Sequence, residues 1–314
     1  MDLNKNVIDE FRANNGQVGG MFEGAQLILL TTVGARTGKP HTTPAVYLRD
    51  GHRYLVFGSN APVGRRPGRP GGPKDPHWYH NLLANPHLTV ELGTEEGAVK
   101  PFAARAVVLE GEERDRCWEL RCSCSPAFRT YPEQTERTIP VIALHLLDLG
   151  ANNQERNQMI GRQLIQHHND LRSELHRVRA AFDRAPAGES AEADAGSAAD
   201  AGSGADLVGQ LRRHCLTFCY ALQTHHIREN GTFTAFEQQF PHLLPALTRL
   251  RQEHEVVERA LEEFAALLNG GLPADPADVK KIRAELDRLV SGLEEHFAYE
   301  EQHLLPALEV PLPS

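Results

Sequence analysis

Residues 207–229 read LVGQLRRHCLTFCYALQTHHIRE. Leu207, Leu211, Phe218 and Leu222 return every three or four positions, the period of an α-helix with one buried face. His214, His225 and Glu229 fall on the same stripe. A polar group buried without a partner costs several kcal/mol, so His225 and Glu229 predict a core that satisfies them.

Three more stretches repeat the pattern. Ile160, Leu164, His168, Leu171, Leu175, Val178 and Phe182 mark one; Leu243, Leu247, Leu250, His254, Glu258, Leu261 and Phe264 mark another; Ile282, Leu286, Leu289, Leu293, His296, Glu300 and Leu304 mark the last. Four helices, each with one apolar face, predict an antiparallel four-helix bundle over residues 151–314. Between the first two helices, the Ala/Gly/Ser/Asp tract at 185–205 is too poor in large apolar residues to pack and is expected to be a disordered loop.

Ten of the 16 histidines lie after residue 150, and three helices carry H-x-x-x-E: His225 with Glu229, His254 with Glu258, His296 with Glu300. Residues four apart lie one turn above each other on one helix face, so each pair can aim an imidazole and a carboxylate at one point. The other helix adds His168. Imidazole and carboxylate without thiolate suit iron or manganese better than structural zinc. These seven candidates exceed what one tetrahedral ion takes, whereas two ions bridged by carboxylates use them naturally. The register stays open at His167 or His168, at His225 with or replaced by His226, and at Glu300 or Glu301, where the repeated spacing of four favours Glu300. His214 and His303 read as inward-facing residues outside the metal layer.

The first half changes period. Ala25–Thr32, Thr43–Leu48, Tyr54–Phe57, Leu88–Leu92, Phe102–Leu109 and Ile139–Leu147 are short runs rich in Val, Ile, Leu, Thr and Tyr, with Asp50-Gly51 as a hairpin signal. With helices expected only near Lys5–Asn14, His77–Ala84 and Glu112–Cys122, residues 1–150 predict an α+β domain built on an antiparallel barrel or sheet. Its densest chemistry is Gly34-Ala35-Arg36-Thr37-Gly38-Lys39 between two strands, where glycine-freed amides, the Thr37 hydroxyl and two cations suit a phosphate. Ser59-Asn60 and then PVGRRPGRPGGPKDP at 62–76 follow, adding Arg65, Arg66, Arg69 and Lys74, so a long anion could lie across both segments.

Composition narrows the function. With 33 Lys+Arg against 42 Asp+Glu, the net charge of −9 gives no diffuse positive field for nucleic acid. No run of about 18 apolar residues occurs and the start, MDLNKNVIDEFRANN, is too polar for a signal peptide, so no transmembrane segment and a cytoplasmic address are expected. Five cysteines suit reduced thiols better than a disulfide scaffold. Cys117, Cys122 and Cys124 read as structural; Cys215 and Cys219, one turn apart, read as small buried residues or as redox-sensing thiols near the metal layer.

Residues 155–308, with their repeated H-x-x-x-E, resemble the hemerythrin-like, or HHE cation-binding, domain. The resemblance implies two non-heme iron ions, with Glu229 and Glu300 as bridging carboxylates and His168, His225, His254 and His296 as terminal ligands. Glu258 stands where oxygen-carrying hemerythrins have a histidine, and an anionic ligand there favours ferric iron over reversible oxygen carriage. In the first half, G-x-[RK]-[ST]-G, then S-N, then W-Y-x-N-L-x-A-N-P at 78–86, then Tyr131 and Arg137-Thr138-Ile139-Pro140-Val141, resembles the deazaflavin-dependent nitroreductase and quinone reductase family over about residues 15–147. That likeness implies a split β-barrel of the flavin-reductase type and the anionic coenzyme F-420. Arg36, Thr37, Gly38 and Lys39 would hold its phosphate, Ser59 and Asn60 would line its site, and Trp78, Tyr79 and Asn81 would support it. Tyr131 would line the substrate pocket as the catalytic candidate, and Phe128 stands where a second tyrosine is common.

Together these features predict an oxidoreductase in which hydride from reduced deazaflavin is coupled to redox chemistry at a di-iron centre. Oxygen, peroxide or nitric oxide would be the small-molecule oxidant, and a homodimer through the barrel is one assembly open to it. The alternatives are an iron or oxygen sensor with a non-catalytic cofactor domain, and a quinone-type reductase joined to an independent iron-binding bundle.

Overall fold

Leu27-Ile28-Leu29-Leu30 shows why the first half closes into a barrel: all four are buried, yet alternate residues of a strand face opposite sides. Ile28 and Leu30 join Val56, Val90, Ile142 and Leu144 in the barrel interior, while Leu27 and Leu29 pack under Val7 and Phe11 of an outer helix. The computed structural model describes residues 3–59, 74–130, 137–150, 154–184, 201–269 and 276–313.

The elements of the first half are α1 (Leu3–Ala13), β1 (Leu27–Val33), β2 (Pro40–Asp50), β3 (Arg53–Phe57), α2 (His77–Ala84), β4 (His87–Gly93), β5 (Val99–Leu109), α3 (Gly111–Cys124) and β6 (Val141–Leu146). The strands close in the order β1-β2-β3-β6-β5-β4, every neighbouring pair antiparallel and β4 returning to β1. Closure removes every edge that could pair with another chain. Gly51, at φ +62°, takes the left-handed conformation that the two-residue turn between Asp50 and its partner Arg53 requires. The helix α2 caps the interior with Trp78 and Leu82, and Cys117 of α3 covers the outer face of Leu55, Val141 and Ala143.

The second half holds the four expected long helices, α4 (Gln154–Arg184), α5 (Ala201–Gln239), α6 (Leu244–Asn269) and α7 (Pro276–Ala307). Each supplies one face to a single core: Leu171, Leu175 and Val178; Cys215, Phe218, Cys219 and Leu222; Leu261 and Phe264; Leu286, Leu293 and Phe297. Residues 185–200 of the expected loop lie outside the described residues. Residues 201–205 are helical instead, because extending a helix already formed from Leu207 onward costs far less than nucleating one. Among the described residues no helix is long and apolar enough to cross a membrane.

By compactness the chain forms two units, one of Met1–Asp148 with Ile227–Ala235, the other of Leu149–His226 with Phe236–Ser314. Since α5 is one continuous helix, Glu229 stays one turn from His225 whichever unit its neighbours favour.

Both bundle cysteines are core residues. Burial pushes the Cys215 thiol up to about 12, with the neighbouring Cys219 adding to the rise, and burial pushes Cys219 up to about 12 as well. At pH 8 only about one such thiol in ten thousand is the nucleophilic thiolate. Alkylation of the native protein at pH 8 should therefore label the exposed Cys124 and spare Cys215 and Cys219 until the protein is denatured. Mass spectrometry of the labelled peptides checks this, and rapid native labelling of either residue would remove them from the core.

Candidate metal centre and basic turn

The polar interruptions of the four stripes converge. His168 of α4, His225 and Glu229 of α5 and Glu300 of α7 form one buried cluster; His226 and Glu229 of α5, His254 of α6 and His296 of α7 form another. In each, the candidate ligand atoms lie within 4.8 Å of one another, and Glu229 belongs to both. The donors are five imidazoles and two carboxylates, a set suited to hard or borderline transition metals. His254 and His296 bring their Nε2 atoms to 3.1 Å, close to the edge of about 3.4 Å in a tetrahedron with metal–nitrogen bonds of about 2.1 Å. Glu300 Oε2 lies 3.4 Å from His168 Nε2 and 3.9 Å from His296 Nε2, so this carboxylate stands between the two clusters.

The far nitrogens of these two histidines are held alike. His168 Nδ1 is 2.6 Å from Glu301 Oε1, and His296 Nδ1 is 2.8 Å from Glu253 Oε2. Glu301 also accepts from Arg172 Nη1 at 3.2 Å, and Glu253 from Arg249 Nε at 2.7 Å. Burial works against both charges. The hydrogen bonds and nearby cations outweigh it, from His168 and Arg172 at Glu301 and from His296 and Arg249 at Glu253, and hold both carboxyls below their usual range. A carboxylate on Nδ1 fixes the proton there and leaves the Nε2 lone pair for a metal.

The geometry places the residues of the three open registers. His168 is buried and His167 exposed; His225 and His226 both take part, one in each cluster; Glu300 is a ligand candidate and Glu301 its neighbour's partner. Glu258 is corrected. It is exposed and in neither cluster, because the inward stripe of α6 steps from His254 by three to Val257 and then by four to Leu261. His226 supplies the fourth group of that cluster. His214 is also exposed, since Cys215, Phe218, Cys219 and Leu222 take the inward face. The signal for His226 was its place beside His225 on the stripe. Glu253 and Arg172 had none, since each meets its partner across helices; Arg249 stands four residues before Glu253 on the same helix, an ordinary i,i+4 pair.

In the barrel, the turn after β1 is tied up internally. Gly38 N–H donates to Gly34 O and Lys39 N–H to Thr37 Oγ1, and Gly38 sits at φ +67°. Asn81 of α2 clamps the turn by accepting from Ala35 N–H at 3.0 Å and donating to Thr32 Oγ1 at 3.0 Å. The expected cradle of glycine-freed amides is thus partly used up, and the exposed side chains of Arg36 and Lys39 carry the site's charge. Trp78 is a core aromatic and Tyr79 packs against the same cluster. Ser59 lies two residues beyond β3, where Arg137 donates to Gly58 O and Ser59 O and pairs with Asp75. Asn60, Tyr131 and the cationic residues Arg65, Arg66 and Arg69 lie outside the described residues.

Fold and site together define a closed antiparallel barrel followed by a helical bundle with two buried histidine–carboxylate clusters. The family model described as "F420H(2)-dependent quinone reductase" matches residues 3–145, and that of the "Hemerythrin HHE cation binding domain" matches residues 159–308. F420H(2)-dependent quinone reductases of Mycobacterium tuberculosis, from strains ATCC 25618 / H37Rv and CDC 1551 / Oshkosh, are each 34% identical over 136 residues, covering 43% of this chain and 83% of the relative. A solved structure of an F420-H2 dependent reductase (FDR-A) is 33% identical, covering 38% of this chain and 93% of its own, with a TM-score of 0.30. The chain belongs to the F420H(2)-dependent quinone reductase family of oxidoreductases and carries a hemerythrin HHE domain behind it.

Single substitutions separate two of the three carboxylates of the H-x-x-x-E pairs, Glu229 and Glu258. Glu229→Ala should lose both metal ions, His226→Ala should weaken one, and Glu258→Ala should keep the parent's metal content. Elemental analysis of the purified variants measures this directly; loss of metal from Glu258→Ala would contradict the exposed placement.

Proposed function

We propose that the barrel binds the deazaflavin coenzyme F-420 in its reduced form and that the bundle holds two iron ions to which the coenzyme's electrons pass. The observation that carries the two-metal part is the membership of buried Glu229 in both ligand clusters, which a single ion would not need. In the barrel, family membership and the exposed cations beside the clamped turn support an anionic coenzyme. When bound, reduced deazaflavin would supply a hydride, equivalent to two electrons and one proton; two ferric ions could take one electron each, with the proton released to solvent.

This chain's own residues would do the following. Arg36 and Lys39 would neutralise the coenzyme phosphate, Gly38 would let the turn close, and Thr37 would brace it through Lys39 N–H. Asn81 acts behind the turn and keeps its cations placed. Ser59 and Asn60 would line the site, Arg137 would brace the Ser59 segment, and Tyr131 would face the substrate. In the bundle, His168 and His225 with Glu300, and His226, His254 and His296, would hold the ions that Glu229 joins. The activity for which the family is named makes a quinone the first acceptor to try, with oxygen, peroxide and nitric oxide as oxidants for the iron.

Charge-assisted contacts contribute about 1.5–3 kcal/mol each, so Arg36→Ala should weaken coenzyme binding roughly ten- to a hundredfold. Titration with oxidised coenzyme tests this, and unchanged affinity would remove the assignment of the turn. For coupling, the ferric protein is mixed anaerobically with reduced coenzyme. One coenzyme oxidised per two irons, with bleaching of the ferric absorption, is the expected result. Coenzyme turnover on a quinone that leaves the iron ferric would overturn coupling and make the two halves independent modules.

A further inference from the structure

Two chains of matching composition, Arg172–Glu301–His168 and Arg249–Glu253–His296, each run from outside the ligand clusters to one histidine within them. They converge on Glu300, whose Oε2 faces the Nε2 atoms of both histidines. In each, a glutamate oxygen sits on the Nδ1 side of the ring and an arginine holds the same glutamate. Each arginine also lies over an aromatic ring of α7: Arg172 at 5.4 Å from the Phe297 centroid and Arg249 at 3.8 Å from that of Tyr299. Phe297 stacks on His168 with centroids 4.2 Å apart and planes 18° apart, so that ring is held from its face as well as its edge.

We infer that Glu253 and Glu301 are positioning residues that fix His296 and His168 as Nε2 ligands and strengthen them as donors to the metal pair. The inference rests on the two-metal reading of the bundle. A charged acceptor on Nδ1–H draws the proton toward itself and leaves more negative charge on the imidazole. More charge on the ring favours the ferric over the ferrous ion, and outer-shell hydrogen bonding of this kind is one of the protein's levers on redox potential. The chains differ in surroundings: the Glu301 side chain is 7% exposed beside a fully buried His168, whereas that of Glu253 is 29% exposed. Charge acts more strongly where water is excluded, so Glu301 should be the stronger of the two.

The test uses the full chain with ferrous iron as the probe, in anaerobic competition with a chelator, followed by spectroelectrochemical titration of the iron-loaded protein. Glu253→Gln and Glu301→Gln keep a hydrogen-bond acceptor and remove the charge; Glu253→Ala and Glu301→Ala remove both. The alanine variants should bind iron about 10- to 100-fold more weakly. The glutamine variants should still take up two irons per chain with a more positive midpoint potential, the shift being larger for Glu301→Gln. The near-isosteric glutamine variants keep the question answerable if an alanine variant fails to fold. Parent-like affinity in the alanine variants together with parent-like potential in the glutamine variants would overturn the inference. A parent protein that itself holds fewer than two irons would instead overturn the two-metal reading.

Discussion

The helical half is organised around one carboxylate. Glu229 lies in the core within reach of His168 and His225 on one side and of His226, His254 and His296 on the other. A carboxylate removed from water is stable only where hydrogen bonds or cations replace its hydration, and a second carboxylate, Glu300, shares the same volume. Two like charges held this close repel strongly in a medium of low polarisability. Cations between them would reverse the sign of that interaction, and binding at the ligand set would then favour the packed arrangement of the helices. The surrounding apolar layers of Leu171, Phe218, Leu222, Leu293 and Phe297 exclude water and thereby strengthen both the attraction and the need for it.

The architecture was legible because periodicity is a property of each segment alone. Six short runs rich in Val, Ile, Leu, Thr and Tyr gave the six strands, and four apolar stripes gave the four helices. The ligands on those stripes were legible for the same reason, but only to within one residue. The inward stripe of α6 advances by alternating steps of three and four, and a motif spaced by four cannot tell which step comes next. At His254 the step is three, so Val257 turns inward and Glu258 to solvent. At His296 a step of four does reach the cluster, and Glu300 is buried. Glu253 and Arg172 were invisible because their partners lie on other helices, 43 residues away for Glu253–His296 and 129 for Arg172–Glu301.

The barrel teaches the same lesson from its turn. Gly34 to Lys39 reads as an anion site from composition, and its exposed arginine and lysine fit that reading. The role of Asn81 could not be assigned from its place in a helical motif, because its side chain reaches 46 residues back to Ala35 and 49 back to Thr32. A buried amide that both accepts from the turn and donates to the strand before it stabilises one conformation of that turn, and so fixes the backbone from which Arg36 and Lys39 project.

The replacement of Glu258 by His226 changes the charge of the centre, and with it the chemistry that the ligand set favours. A cluster of His254, His296, Glu229 and Glu258 would have placed two carboxylates on one ion and favoured its higher oxidation state. The observed cluster has three imidazoles and shares its single carboxylate, Glu229, with the neighbouring cluster. An ion held there would meet fewer anionic donors than in the set with Glu258. The two clusters are also unlike each other, since the one at His168 and His225 has Glu300 in addition to Glu229. The extra carboxylate stabilises higher charge on that side, and electrons entering such a pair would settle first on the ion beside His226, His254 and His296.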